Sequence, residues 1–171
     1  MICGDIIGER SRLSPDRTAV VDVTSGRRLT YREMNSRAAA CARTWLYGLG
    51  LKPGDRIGIL SGNRLEFLDA FFAAGKSGVI LVPLGTRLTA AELAVIASDC
   101  GLSALVFGDD HADTARELAG RADVGRLVAL DDGAGIEAAA WGQLQDRVGA
   151  GDYVPSVCSP DDPDCLLYTS G

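Results

Sequence analysis

Between Arg56 and Arg147, short apolar runs alternate with longer segments whose apolar residues recur at helical spacing. The runs cover residues 56–60, 79–82, 102–107 and 126–130. The segments that follow them cover residues 64–76, 90–98, 112–122 and about 136–147. In the first of these, Leu65, Leu68, Phe71 and Phe72 are expected to point inward; the second starts behind Thr89, a good N-cap. Strands that are apolar on both faces need cover on both faces, and helices between consecutive strands supply it. The pattern leaves few folds open. It predicts an α/β architecture: a mainly parallel sheet flanked by helices, joined by right-handed crossovers.

The first fifty residues follow another plan. Residues 2–13 read as a short amphipathic helix with Ile2, Ile6 and Ile7 on one face, ended by Ser14-Pro15-Asp16. Residues 19–23 and 27–30 flank Ser25-Gly26 and predict an initial β-hairpin. Thr30 with Glu33 three positions on is a capping box. It opens a helix expected to run to about Tyr47, with Met34, Ala38, Cys41, Ala42, Trp45 and Leu46 near one face, until Gly48 and Gly50 stop it. At the other end, residues 149–164 are rich in Gly, Pro, Ser and Asp and read as a surface connection. It leads to a last apolar run, Leu166-Leu167-Tyr168, expected to be a buried strand.

Composition excludes several classes. Hydrophobic residues make up 47% of the 171, enough for a core and too many for a disordered segment. The net charge of −6 and the scattered basic residues argue against nucleic acid as a partner. The five cysteines show no CxxC pair, so neither a disulfide framework nor a zinc site is expected. They read as reduced thiols, and the expected location is the cytoplasm. The N-terminus is no signal peptide, and no apolar stretch is long enough to span a membrane.

The strongest candidate site is at the end of the chain. Thr169, Ser170 and Gly171 follow the last apolar run and look like the first half of a phosphate-cradling loop. Such a loop needs a strand to aim it, small residues so that backbone can approach an anion, and N–H or hydroxyl donors. Other features have plainer readings. Ser61-Gly62-Asn63 could hold an anion at a strand end, but a glycine turn that caps a helix accounts for it. Asp109-Asp110 and Asp131-Asp132 read as helix-start carboxylates and Asp161-Asp162 as loop residues, not as metal ligands. His111, the one histidine, reads as a solvated helix-start residue. Trp45, Phe67, Phe71 and Phe72 read as core. No catalytic residue and no metal ligand is assigned.

Four segments together resemble the N-terminal part of adenylate-forming enzymes, the AMP-binding acyl-CoA synthetases of long-chain-fatty-acid type. Residues 29–38, LTYREMNSRA, are similar to the family's LTYxELxxRA helix entry. Residues 50–57, GLKPGDRI, match its GxxxGDRV step. Residues 78–84, GVILVPL, followed by Arg87-Leu88-Thr89 and Glu92-Leu93, resemble its GAVxVPLNPRLTxxEL segment, with Gly85 and Thr86 departing at a turn and Ser77 replacing a usual Ala. Residues 166–171, LLYTSG, resemble the opening of its YTSGTTGxPKG phosphate loop. The order is the family's, and the match spans about Asp5 to Gly171.

The resemblance implies a function. A carboxylic acid substrate attacks the α-phosphate of ATP, assisted by Mg2+, and the acyl-adenylate then passes its acyl group to coenzyme A. It also implies that residues 1–171 are an N-terminal α/β subdomain, cut at the start of the phosphate loop. Most binding residues would then lie downstream, only Thr169, Ser170 and Gly171 would map to ATP, and the chain alone would be inert. Uncovered apolar surface would favour self-association. Two alternatives stay open: a fragment of a peptide-synthetase adenylation domain, and a stand-alone truncated interaction domain.

Overall fold

The structure is a computed structural model that describes residues 5–131, 138–149 and 162–169. Asp5 caps α1 (Ile6–Leu13), accepting the Gly8 amide at 2.9 Å. The predicted hairpin forms from β1 (Thr18–Val21) and β2 (Arg28–Thr30), paired antiparallel. The capping box at the start of α2 (Tyr31–Arg43) is present as read. Thr30 Oγ1 accepts the Glu33 amide at 3.3 Å, and the Glu33 carboxylate accepts the Thr30 amide at 2.7 Å.

The α-helix does not continue to Tyr47. It widens into a π turn over Thr44–Gly48. The Thr44 hydroxyl donates to the Ala40 carbonyl at 2.9 Å, and the Leu49 amide reaches back to the Thr44 carbonyl at 2.9 Å. A side-chain hydroxyl that competes for the helix's own carbonyls favours such a local rearrangement. On this turn Trp45 is fully buried in the core.

The remaining elements are β3 (Arg56–Leu60), α3 (Leu65–Ser77), β4 (Ile80–Pro83), α4 (Ala90–Cys100), β5 (Leu102–Phe107), α5 (Ala112–Arg121), β6 (Leu127–Ala129), β7 (Ala139–Ala140) and α6 (Trp141–Val148). The strands form a five-stranded sheet in the order β4-β3-β5-β6-β7, parallel throughout. The helix expected over 136–147 begins only at Trp141, because Ala139 and Ala140 pair with the open edge of β6.

Side chains alternate between two cores with period two. Ile57, Ile59, Leu81, Ala104, Val106 and Val128 join one cluster with Trp45, Ala70, Ala73 and Trp141, so α3, α6 and the α2 end cover that face. Leu60, Val82, Leu105, Phe107 and Ala129 join the other with Leu93, Ala97, Ala115 and Leu118, so α4 and α5 cover the opposite face. Phe71 is a correction: it is 45% exposed, because α3 turns its alanines inward. Leu65, Leu68 and Phe72 pack beside the hairpin cluster, and Phe67 against the first core.

The winding direction reverses at β3. From β3 the chain steps through α3 to β4 on one side, then crosses back through α4 to β5 on the other. In open α/β sheets ligands bind in the crevice outside the strand C-termini at such a reversal.

Candidate functional site

The crevice at the reversal is present. A cleft of about 380 Å3 lies where the turn after β3 (Ser61, Gly62, Asn63, Arg64) faces the turn after β5 (Gly108 to His111) and Asp131 after β6. The cap reading of the first turn is corrected. Arg64 holds the N-cap position of α3 with no side-chain cap bond, and the Ser61 hydroxyl donates to the Gly62 carbonyl at 3.0 Å instead. The second turn is a short 3-10 segment, Asp109–His111, in which neither aspartate caps α5 by its side chain. His111 lines the crevice, half-buried.

Asp131 is an ion-pair partner. Its carboxylate accepts two bonds from the Arg64 guanidinium at 2.8 Å each and the Asp109 amide at 3.2 Å. The Arg64 bonds hold the Asp131 carboxyl below its ordinary value. Asp131 in turn raises Arg64, which also donates to Glu66 at 2.7 Å. Burial works against the Glu66 charge, yet Arg64 and Arg37 keep its pKa below the usual value. The crevice's guanidinium is therefore already engaged by carboxylates, and Asp109 and Asp110 add negative charge to its wall. As it stands the crevice is a poor host for a phosphate.

Among the described residues no three His, Cys, Asp or Glu side chains converge as a metal ion would require. Asp132 and Asp161 lie outside the described residues, as do Cys3 and Cys158. Cys41, Cys100 and Cys165 are free thiols, and burial pushes the Cys41 thiol well up, away from nucleophilic use.

The segment carrying the predicted phosphate loop departs from the expected strand. Cys165 makes one parallel bridge with Leu81 at the outer edge of β4. The Leu81 amide donates to the Asp164 carbonyl at 3.0 Å, and the Leu166 amide to the Leu81 carbonyl at 2.9 Å. There the ladder ends. The next outward-facing position on β4 is Pro83, which has no N–H to give. Leu166 still packs against the second core, but Leu167 is 73% exposed, so the run is not a buried strand.

Beyond Leu166 the chain turns toward α4. The Tyr168 hydroxyl donates to the Asp99 carboxylate at 2.6 Å, and the phenol pKa is thereby pushed up to about 12. Asp99 sits at the C-terminal end of α4. The Arg56 guanidinium fixes that end to the start of β3, donating to the Cys100 carbonyl at 2.6 Å and the Gly101 carbonyl at 2.8 Å. This is the N-terminal edge of the parallel sheet. Thr169 is exposed. Ser170 and Gly171 lie outside the described residues.

A family described as "AMP-binding enzyme" matches residues 8–171. The chain belongs to that family. This AMP-binding enzyme chain is 34% identical over 168 residues to the long-chain-fatty-acid–CoA ligase FadD13 of Mycobacterium tuberculosis, covering 98% of this chain and 32% of the relative. It is 39% identical over 127 residues to a feruloyl-CoA synthase of Amycolatopsis sp, covering 72% of this chain and 25% of that one. Among solved structures, the inhibitor-bound N-terminal domain of FACL13 from Mycobacterium tuberculosis superposes with a TM-score of 0.80 at 30% identity, covering 99% of this chain and 42% of the other. MbtA of Mycobacterium smegmatis superposes at 0.82 and 32% identity, covering 96% and 30%. The chain thus spans a third or less of the length of these two curated relatives. The fold and family expected of an AMP-binding enzyme are both met.

Proposed function

We propose that this chain is the N-terminal α/β part of an ATP-dependent acyl-CoA ligase acting on a fatty-acid-like carboxylic acid. The observation that carries the reading is the family match over residues 8–171, with a long-chain-fatty-acid–CoA ligase among the relatives. The chemistry is a transfer in two steps. The carboxylate attacks the α-phosphate of ATP and pyrophosphate leaves; the thiolate of coenzyme A then attacks the acyl carbon and AMP leaves. Activation as a mixed anhydride makes a poor electrophile a good one, and the groups that stabilise the leaving pyrophosphate do so electrostatically.

Within this chain the Thr169 and Ser170 hydroxyls and the Gly171 backbone would receive phosphate oxygens, and no general acid or base is assigned. Among the described residues no cluster of His, Cys, Asp or Glu side chains fits Mg2+. Residues 1–171 would form one subdomain, inert by itself, with an apolar surface that favours self-association. Val95 and Leu167, 70% and 73% exposed, are consistent with such a surface. Among the described residues no helix is long and apolar enough to cross a membrane. That and the free thiols fit a cytoplasmic setting.

A second reading, transfer of the acyl group to a carrier protein instead of coenzyme A, is favoured by two further relatives. One is a fatty acid–[acyl-carrier-protein] ligase, ScoC, of Streptomyces coeruleorubidus, 35% identical over 146 residues. The other is a salicyl-AMP ligase / salicyl-S-ArCP synthetase of Mycobacterium tuberculosis, 34% identical over 176 residues. One experiment tests both readings: pyrophosphate release by the full-length gene product with a panel of fatty and aryl acids, then thioester formation with coenzyme A or a carrier protein. Acid-dependent release with coenzyme A as acceptor supports the first reading. Thioester only on the carrier supports the second, and no acid-dependent release refutes both.

A further inference from the structure

We propose that the cleft between α2, α3 and α6 binds a small zwitterion, an α-amino acid with an apolar side chain. The cleft measures about 550 Å3, the size of a small-molecule site, and shares no lining residue with the crevice at the sheet's reversal. Such binding is a property separate from the ligase chemistry proposed above. Arg37, Ala40 and Arg43 line one wall from α2, at helical spacing, and Gln145 and Asp146 line another from α6. Leu130 and Trp141, both packed in the first core, supply an apolar side.

The charges in the cleft decide the class of ligand. Two of its carboxylates are already engaged: Arg37 Nε donates to Asp69 at 2.9 Å, and Arg64 Nε to Glu66 at 2.7 Å. Two opposite charges remain, Arg43 on α2 and Asp146 on α6. Among the described residues neither joins an ion pair, with the other or with any third residue. Arg43 Nε is moreover buried with no hydrogen-bond partner. A buried donor left unmet is uncommon and destabilising. Arg43 closes α2 just before the π turn, a helix irregularity that recurs at functional sites. A simple anion would answer Arg43 and be repelled by Asp146; a simple cation would do the reverse. A molecule carrying both charges answers both, its carboxylate on the Arg43 guanidinium and its ammonium group on the Asp146 carboxylate. Its side chain then lies against Leu130 and Trp141, which favours an apolar one.

The test measures binding of L-phenylalanine to the full-length gene product by calorimetry, without ATP. Saturable binding is expected in the parent, and about a tenfold or greater loss in both Asp146→Asn and Arg43→Gln. Arg43→Lys keeps the charge and should bind better than Arg43→Gln. Phenethylamine, which lacks the carboxylate, and 3-phenylpropionate, which lacks the ammonium group, should each compete with L-phenylalanine only weakly. Asp146 is exposed, so Asp146→Asn should melt with the parent. No saturable binding at millimolar concentrations overturns the proposal. So does binding that both variants leave unchanged, which puts the amino acid elsewhere on the protein. Loss in only one of the two variants overturns the zwitterion in favour of a simple ion. Acid-dependent pyrophosphate release should be equal in parent and variants. Because binding is read without ATP, a parent that releases no pyrophosphate refutes the ligase reading and leaves the binding result standing.

Discussion

Arg64 and Asp131 are 67 positions apart and face each other through two bonds of 2.8 Å, a guanidinium fork against a carboxylate. They join the start of α3 to the turn after β6, across the mouth of the crevice. Through Glu66 and Arg37 the network continues to Asp69 on α3, where the Arg37 Nε donates at 2.9 Å. A double-mutant cycle with Arg64→Ala and Asp131→Ala should give a coupling of about 0.5–1 kcal/mol in urea unfolding, modest because both groups are about a third exposed. A coupling indistinguishable from zero would mean that the bidentate geometry does not persist in solution.

The same pair sets an acid limb. Asp131 has a folded-state value below its ordinary 3.8, chiefly because Arg64 donates to it. A depressed carboxyl contributes stability that is present above the unfolded value and is lost as pH falls through the folded one. Stability should therefore decline below about pH 4, and Arg64→Ala should flatten part of that decline. Urea midpoints measured across the acid range for both proteins check this; parallel curves would contradict it.

Lys76 is buried at 3% side-chain exposure, and its ammonium donates to both Asp5 oxygens at 2.7 Å. Asp5→Asn keeps a capping side chain on α1 but takes the carboxylate from a buried cation. It should cost about 2 kcal/mol. Lys76→Met removes the charge itself and should cost less than Asp5→Asn, because an apolar isostere needs no counter-charge. Chemical denaturation of both variants decides this; the reverse ranking would show that Lys76 acts mainly through other contacts.

Gly58 stands mid-strand in β3, where an added Cβ would come within 3.0 Å of Leu102 Cδ2 and 3.2 Å of Leu105 Cδ1. The two leucine side chains would have to give by a few tenths of an ångström to admit a methyl group. Gly58→Ala should destabilise by about 1–3 kcal/mol through overpacking. A neutral result would show that the two leucines re-pack at little cost.

What could be read from the sequence was what is local. The Thr30–Glu33 box and the Thr89 cap hold because capping is decided within four residues; that Glu92 completes a second box was not read. β3 and β5 have the bounds read from their apolar runs, since a central strand buried on both faces announces itself. The bond between Arg64 and Asp131 left no such mark, because no spacing rule links positions that only the fold brings together. Phe71 misled because the helical period does not say which of two apolar stripes a helix will bury, and α3 buries the one with small residues. The last apolar run, Leu166 to Tyr168, was legible as composition, but its place was not. Where Leu166 leaves the sheet depends on which strand is its neighbour and on whether that strand can donate.

Pro83 has one more effect. A parallel sheet that stops at an open strand is a template on which any extended peptide, including another molecule's, can add itself without limit. By withholding an amide one step past the Leu81 bridge, Pro83 denies such a visitor its next bond. The residue that shortens this chain's own pairing is thus also a guard against fibre growth from its margin.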